Sequence, residues 1–123
     1  VSSEPRTIIL PTVDHGNITL TCPAWCTGHA DHHPGTYRAD LTHYGPEHRL
    51  TFNGIELFRL MLTQTPYADR ASRDTCAYVE ETGHTGSLTP AGLYDLAAGL
   101  DHAADRMRDF ADRLAVLLDG SSR

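Results

Sequence analysis

A chain of 123 residues is one domain by size, large enough to bury roughly two thirds of its unfolded surface, so it need not be nucleated by a metal. Its formal net charge is −6, and its ten positive side chains, all arginine, are scattered, which argues against a nucleic-acid binder with its concentrated basic face. No apolar run approaches the roughly 18 residues of a membrane span, and no basic segment followed by an apolar one marks an export signal.

The elements read as follows in chain order, within a single domain 1–123. Residues 1–6 open with Val1-Ser2-Ser3-Glu4-Pro5 and are expected to fray. Thr7 to Leu10 is a short β-prone run stopped by Pro11, and Ile18-Thr19-Leu20-Thr21 is a second one that delivers the chain into Cys22. A cysteine at a strand end, followed by a proline turn, aims a ligand out of a sheet.

Residues 18–48 form the metal-binding region. From 27 to 48 the chain is rich in Gly, Pro, His and Asp without either period, which predicts a loop organised by something other than a core. Asn53-Gly54, between Leu50-Thr51-Phe52 and Ile55 to Thr65, is the strongest hairpin signal. Asp74 to Glu81 is a further strand candidate, and 50–82 predicts a small antiparallel sheet, although the run Ile55 to Leu62 would also tolerate a helix.

A long helix closes the chain over 89–119. Thr89 is placed as its N-cap, Pro90 as its first residue and Gly120 as its stop. Leu93, Leu96, Leu100, Ala103, Met107, Phe110, Leu114 and Leu117 recur at spacings of three and four, a heptad pattern. Ala97, Ala104, Ala111 and Leu118 widen that stripe into a face able to cover a sheet, or to associate with another helix.

The chemistry concentrates in Cys22-Pro23-Ala24-Trp25-Cys26-Thr27-Gly28-His29, where two thiols and an imidazole fall within eight residues. Zinc takes four thiolate or imidazole ligands in a tetrahedron, and short loops carrying several of them build such sites. Cys22, Cys26 and His29 can converge without distortion. Thirteen residues separate His29 from His43, a span similar to that between ligand pairs of Cys2His2 sites, so His43 is the favoured fourth ligand. His32 and His33 lie too near His29 to wrap around one ion comfortably, His48 is a further histidine of the segment, and Cys76 reads better as a small buried hydrophobe. Trp25 is read as packing over the metal or into the nearby core, with a recognition role at the surface as the alternative. His15, His84 and His102 receive no role.

These residues resemble a family of small actinobacterial proteins of unknown function. Its pattern is Cys-Pro-x-Trp-Cys, a histidine shortly after, a later His-x-Gly, and a C-terminal helix introduced by Leu-Thr-Pro. Here it reads Cys22 to Cys26, His29, His43-Tyr44-Gly45 and Leu88-Thr89-Pro90, over roughly residues 18 to 118. The resemblance supports His29 and His43 as ligands and implies no activity. The absence of lysine, whose codons are AT-rich, agrees with a GC-rich source of this kind.

Two cysteines and two histidines leave zinc no open position, and a closed site is structural. The expectation is an α+β fold with a zinc-stapled loop and one long helix packed on a small antiparallel sheet. In function it is a non-catalytic, zinc-finger-like module holding Zn2+ and binding an unknown protein partner or a second copy through the helix. Three cysteines, an odd number, fit a reducing cytoplasm. One alternative is a zinc-dependent hydrolase-like enzyme with an open fourth position and Glu47, His48 or Asp31 as general base. It lacks His-Glu-x-x-His and the deaminase signature. The other, a DNA-binding zinc regulator, rests on Arg106, Arg108 and Arg113 and is opposed by the net charge.

Overall fold

The computed structural model describes residues 5–70, 72–83 and 86–121. The fold is α+β, with a small antiparallel sheet, a Cys/His cluster near the loops and one long C-terminal helix packed on the sheet. The chain divides into two compact units, residues 1–46 with 61–76, and residues 47–60 with 77–123.

In the first unit, β1 (Arg6–Thr12) and β2 (Gly16–Cys22) form an antiparallel hairpin, with Ile8 opposite Leu20 and Arg6 opposite Cys22. Alternation sends Leu10, Leu20 and Cys22 inward, while Ile9 faces solvent. Two sequence expectations are corrected here. Arg6, assigned to the fraying end, is the first residue of β1, and Pro11 does not stop that strand. Both strands of a two-stranded ribbon are edges, where proline's missing N–H costs no ladder bond.

Gly16, at a φ of 62°, closes the turn. The hairpin tip then clips the following loop: the Val13 N–H donates to the Thr36 carbonyl, and the Arg38 N–H to an Asp14 carboxylate oxygen, 2.9 Å away. That loop also holds a single 3-10 turn, Arg38–Asp40, then Leu41, which is 2% exposed and packs with Leu10 and Leu20 against Ile8, Ile18 and Tyr67. The loop therefore contributes to a core, against the expectation that it would not; a single leucine between polar residues gives no periodicity to read. β3 (His43–Tyr44) pairs antiparallel with the end of β5 (Ile55–Gln64), His43 opposite Gln64.

In the second unit, β4 (His48–Phe52) and the first part of β5 form the expected hairpin around Asn53-Gly54, both residues at positive φ. A bulge between Leu50 and Thr51 gives β5 one extra residue there, and Leu50, Phe52, Leu57 and Leu60 are buried. β6 (Cys76–Glu81) pairs with β5.

The helix α1 (Pro90–Ser121) starts as its sequence predicts: the Thr89 hydroxyl caps the Gly92 N–H at 3.1 Å. It lies along β4 in the opposite direction, with Gly99 against Phe52 and Phe110 edge-on to His48. Its covered stripe is Gly92, Leu96, Gly99, Ala103, Met107, Phe110, Leu114 and Leu117, whereas Leu93 and Leu100 are 60% and 44% exposed. The expected stripe is thus displaced at its N-terminal end. A Cβ on Gly99 would stand 3.2 Å from the Phe52 ring, so glycine marks the closest approach there.

Candidate metal centre

All the residues of the centre belong to the first unit. Cys22 ends β2 on its inward face, fully buried. Pro23 then opens a tight turn in which the Cys26 N–H donates back to the Pro23 carbonyl at 3.0 Å. Gly28, at a φ of 108°, adopts a conformation closed to most side chains and reverses the chain so that His29 follows. The Gly28 N–H points at the Cys26 sulfur, 3.4 Å away. Thr27 anchors this knuckle to β3: its N–H and its hydroxyl both donate to the Tyr44 carbonyl. That bond places His43 beside the cysteine turn, and Arg6 donates a further bond to the Cys26 carbonyl at 2.9 Å.

The result is a cluster of Cys22, Cys26, His29 and His43 whose ligand atoms all lie within 4.8 Å of one another. Its geometry can be tested against zinc. With metal–nitrogen bonds near 2.05 Å and metal–sulfur bonds near 2.3 Å, the edges of a tetrahedron are about 3.3 Å between nitrogens and about 3.6 Å between nitrogen and sulfur. His29 Nε2 and His43 Nδ1 are 3.2 Å apart, and Cys26 Sγ and His29 Nε2 are 3.6 Å apart. Both edges match the ion, and the cluster as a whole could hold one. Among the described residues no other group of three or more His, Cys, Asp or Glu side chains could hold one.

Electrostatics agree with the geometry. Burial, with the His29 ring beside it, pushes His43 down to about 4, so its ring is neutral at neutral pH and one of its nitrogens has a lone pair to donate. Burial lowers His29 too, helped by His32 and Arg6. The Cys22 thiol is pushed up by burial and by the Cys26 sulfur next to it, against Arg6. A divalent cation supplies the positive charge that two adjacent thiolates lack.

Other candidates are held elsewhere. His32 bonds the Pro11 carbonyl through Nε2 at 2.8 Å, and His33 Nδ1 accepts the Gly35 N–H. Cys76, half-buried, donates its thiol to the Asp74 carbonyl. In the second unit His48 stacks edge-on to Phe110, and Glu47 pairs with Arg49 and Arg59. His15 pairs with Asp14 and His102 is exposed on α1, while His84 lies outside the described residues. Trp25 is half-buried, its ring edge-on to His43 at 6.4 Å. Arg6 was missed, and the signal for it was the hairpin turn at Asp14-His15-Gly16, whose register carries β1 back to Cys22.

A cleft of about 480 Å3 opens beside His29, with Asp31, His33, Asp40, Thr42 and Tyr44 among its walls. Residues 7–116 match the family model described as "Domain of unknown function (DUF6907)". The chain belongs to this family. The match takes in all four residues of the cluster and most of α1, and so covers residues of both units. No curated protein and no solved structure matches the chain.

Proposed function

We propose that this DUF6907 chain is a non-catalytic zinc module, a single domain in which Cys22, Cys26, His29 and His43 hold one structural Zn2+, and which binds another protein or itself through α1. The observation that carries the reading is a cluster of four donors within 4.8 Å of one another, two of its edges at tetrahedral length, of which Cys22, Cys26 and His43 are at most 4% exposed. Such a site is closed to water and substrate, and structural zinc contributes on the order of 10 kcal/mol of apparent folding free energy in small peptides. A family match spanning residues 7–116 supports treating the two units as one domain.

The Cys-Pro-x-Trp-Cys segment, His29 and the His43-Tyr44-Gly45 triplet are read as the family's signature. Free cysteines paired in the cluster suit a reducing cytoplasm, and an all-arginine basic set suits a GC-rich, actinobacterial source. With His43 as fourth donor, a hydrolytic mechanism has no open position for water. Of its proposed bases, Asp31 alone lines the cleft beside His29, while Glu47 and His48 are engaged in the second unit. Of the three helix arginines, Arg113 lies over Phe110 and Arg108 pairs loosely with Asp105, and the net charge of −6 opposes the DNA-binding alternative.

The test is elemental analysis of protein purified without added metal, with Cys22→Ser, Cys26→Ser, His29→Ala and His43→Ala. One zinc per chain, lost together with the fold of the first unit in each variant, is the expected result. Full occupancy and an intact fold in His43→Ala would remove it as fourth ligand and return the open-site enzyme to favour.

A further inference from the structure

The helix α1 carries a second apolar seam that shares Met107 and Leu114 with the covered stripe and diverges from it elsewhere. Leu93, Ala97, Leu100, Ala104, Met107, Ala111 and Leu114 follow one another at spacings of four and three, without a polar interruption. Leu93, Ala97, Leu100 and Ala111 are exposed, and Ala104, Met107 and Leu114 are half-buried where the two seams adjoin. A solvated helix flank needs no such order, and the flank beyond the covered seam on the other side carries Asp95, His102, Arg106 and Arg113 instead.

Side-chain size alternates along this seam: Leu93, Leu100, Met107 and Leu114 are large, and Ala97, Ala104 and Ala111 are small. In a parallel pair like positions face each other, which stacks leucine on leucine and leaves alanine layers underfilled. In an antiparallel pair the large positions face the small ones. Centred between Asp105 and Arg106, an antiparallel copy sets Leu114 on Ala97, Leu100 on Ala111 and Met107 on Ala104, each twice. The seam is therefore complementary to itself about a two-fold axis, the condition for an isologous dimer. Charge agrees with size, because the open flank of the same seam holds Asp101 and Arg108, and this register brings Asp101 of each copy opposite Arg108 of the other. Arg108 is joined in its own helix to Asp105, a pair about three-quarters exposed and so weakly held.

We infer that the partner of α1 is a second copy of this chain, docked antiparallel along the Leu93–Leu114 seam. The inference rests on the reading of α1 as a protein-binding element and names what binds there. The six layers from Ala97 to Leu114 span about 26 Å of helix, so the contact is smaller than an obligate interface and the dimer dissociates on dilution.

Sedimentation velocity of the zinc-loaded full chain over a wide concentration range tests it. A monomer–dimer equilibrium is expected, weakened at least about tenfold by Leu100→Glu, a change at an exposed site that leaves helicity and zinc content as they were. Asp101→Arg and Arg108→Asp each weaken it severalfold, and the double variant recovers the wild-type constant. A monomer at every concentration overturns the inference, as does a dimer indifferent to Leu100→Glu. A dimer that Leu100→Glu abolishes but the double reversal does not restore overturns the antiparallel register. Failure of the zinc reading shows separately, in metal content and in circular dichroism of the same samples.

Discussion

At Gly45 the absence of a side chain holds the metal centre together. A Cβ there would stand 3.3 Å from the Leu62 Cβ and 3.4 Å from Trp25 Cε3, while the Gly45 N–H donates to the Leu62 carbonyl at 2.8 Å. Alanine would push the Trp25 ring, and that ring lies against His43. Gly45→Ala is expected to cost about 1–3 kcal/mol, the usual toll of overpacking, read as a lower melting temperature at full zinc loading. An unchanged melting temperature would show that Trp25 moves freely and does not brace His43. The resemblance places Gly45 in a His-x-Gly pattern with His43; the physical reason for the glycine is close approach of a tryptophan, which spacing cannot reveal.

At the scale of elements, β4 and β5 divide their faces sharply. His48 shares one β4 face with buried Leu50 and Phe52, and the other face carries a charge lattice in which Arg59 meets Glu47, Glu56 and Glu80, and Arg49 meets Glu47 and Glu56. The bond from the Arg59 guanidinium holds the Glu56 carboxyl below its ordinary value of 4.5. A carboxylate depressed in the folded state contributes stability above its unfolded value and loses it as pH falls through the folded one. The stability gap between wild type and Glu56→Gln is therefore expected to be widest above pH 4.5 and to close below it, in urea titrations at stepped pH. A gap that persists at low pH would mean Glu56 acts by packing. The hairpin was legible because Asn-Gly fixes the turn locally. The helix stripe was legible in period and at Leu96 and from Ala103 to Leu117, and missed only at Leu93 and Leu100, because leucines announce themselves by hydrophobicity whereas Gly92 and Gly99 mark the close side silently.

For the whole molecule, the ligands of the centre all lie in the first unit, on β2, the knuckle and β3. The second unit has its own buried residues, Leu50, Phe52, Leu57, Leu60, Ala103 and Phe110. Chelation is thus expected to abolish amide-exchange protection over residues 6–46 while α1 keeps most of its protection and far-ultraviolet helicity. Uniform loss across both would show that the units fold as one cooperative body and that zinc supports the entire chain.

What the sequence determined by itself were the local quantities: the Thr89-Pro90 helix start, the Asn53-Gly54 turn, the strands on either side of it, and the dense set of ligands from Cys22 to His29. Each is set within a few residues, by side-chain chemistry or backbone preference. The tertiary structure decided which distant histidine meets that set, that Arg6 closes over it, that Leu41 turns a polar loop inward, and which of two apolar seams on α1 faces the sheet. Those outcomes depend on strand register and close approach between segments far apart in the chain, and only packing chooses among them.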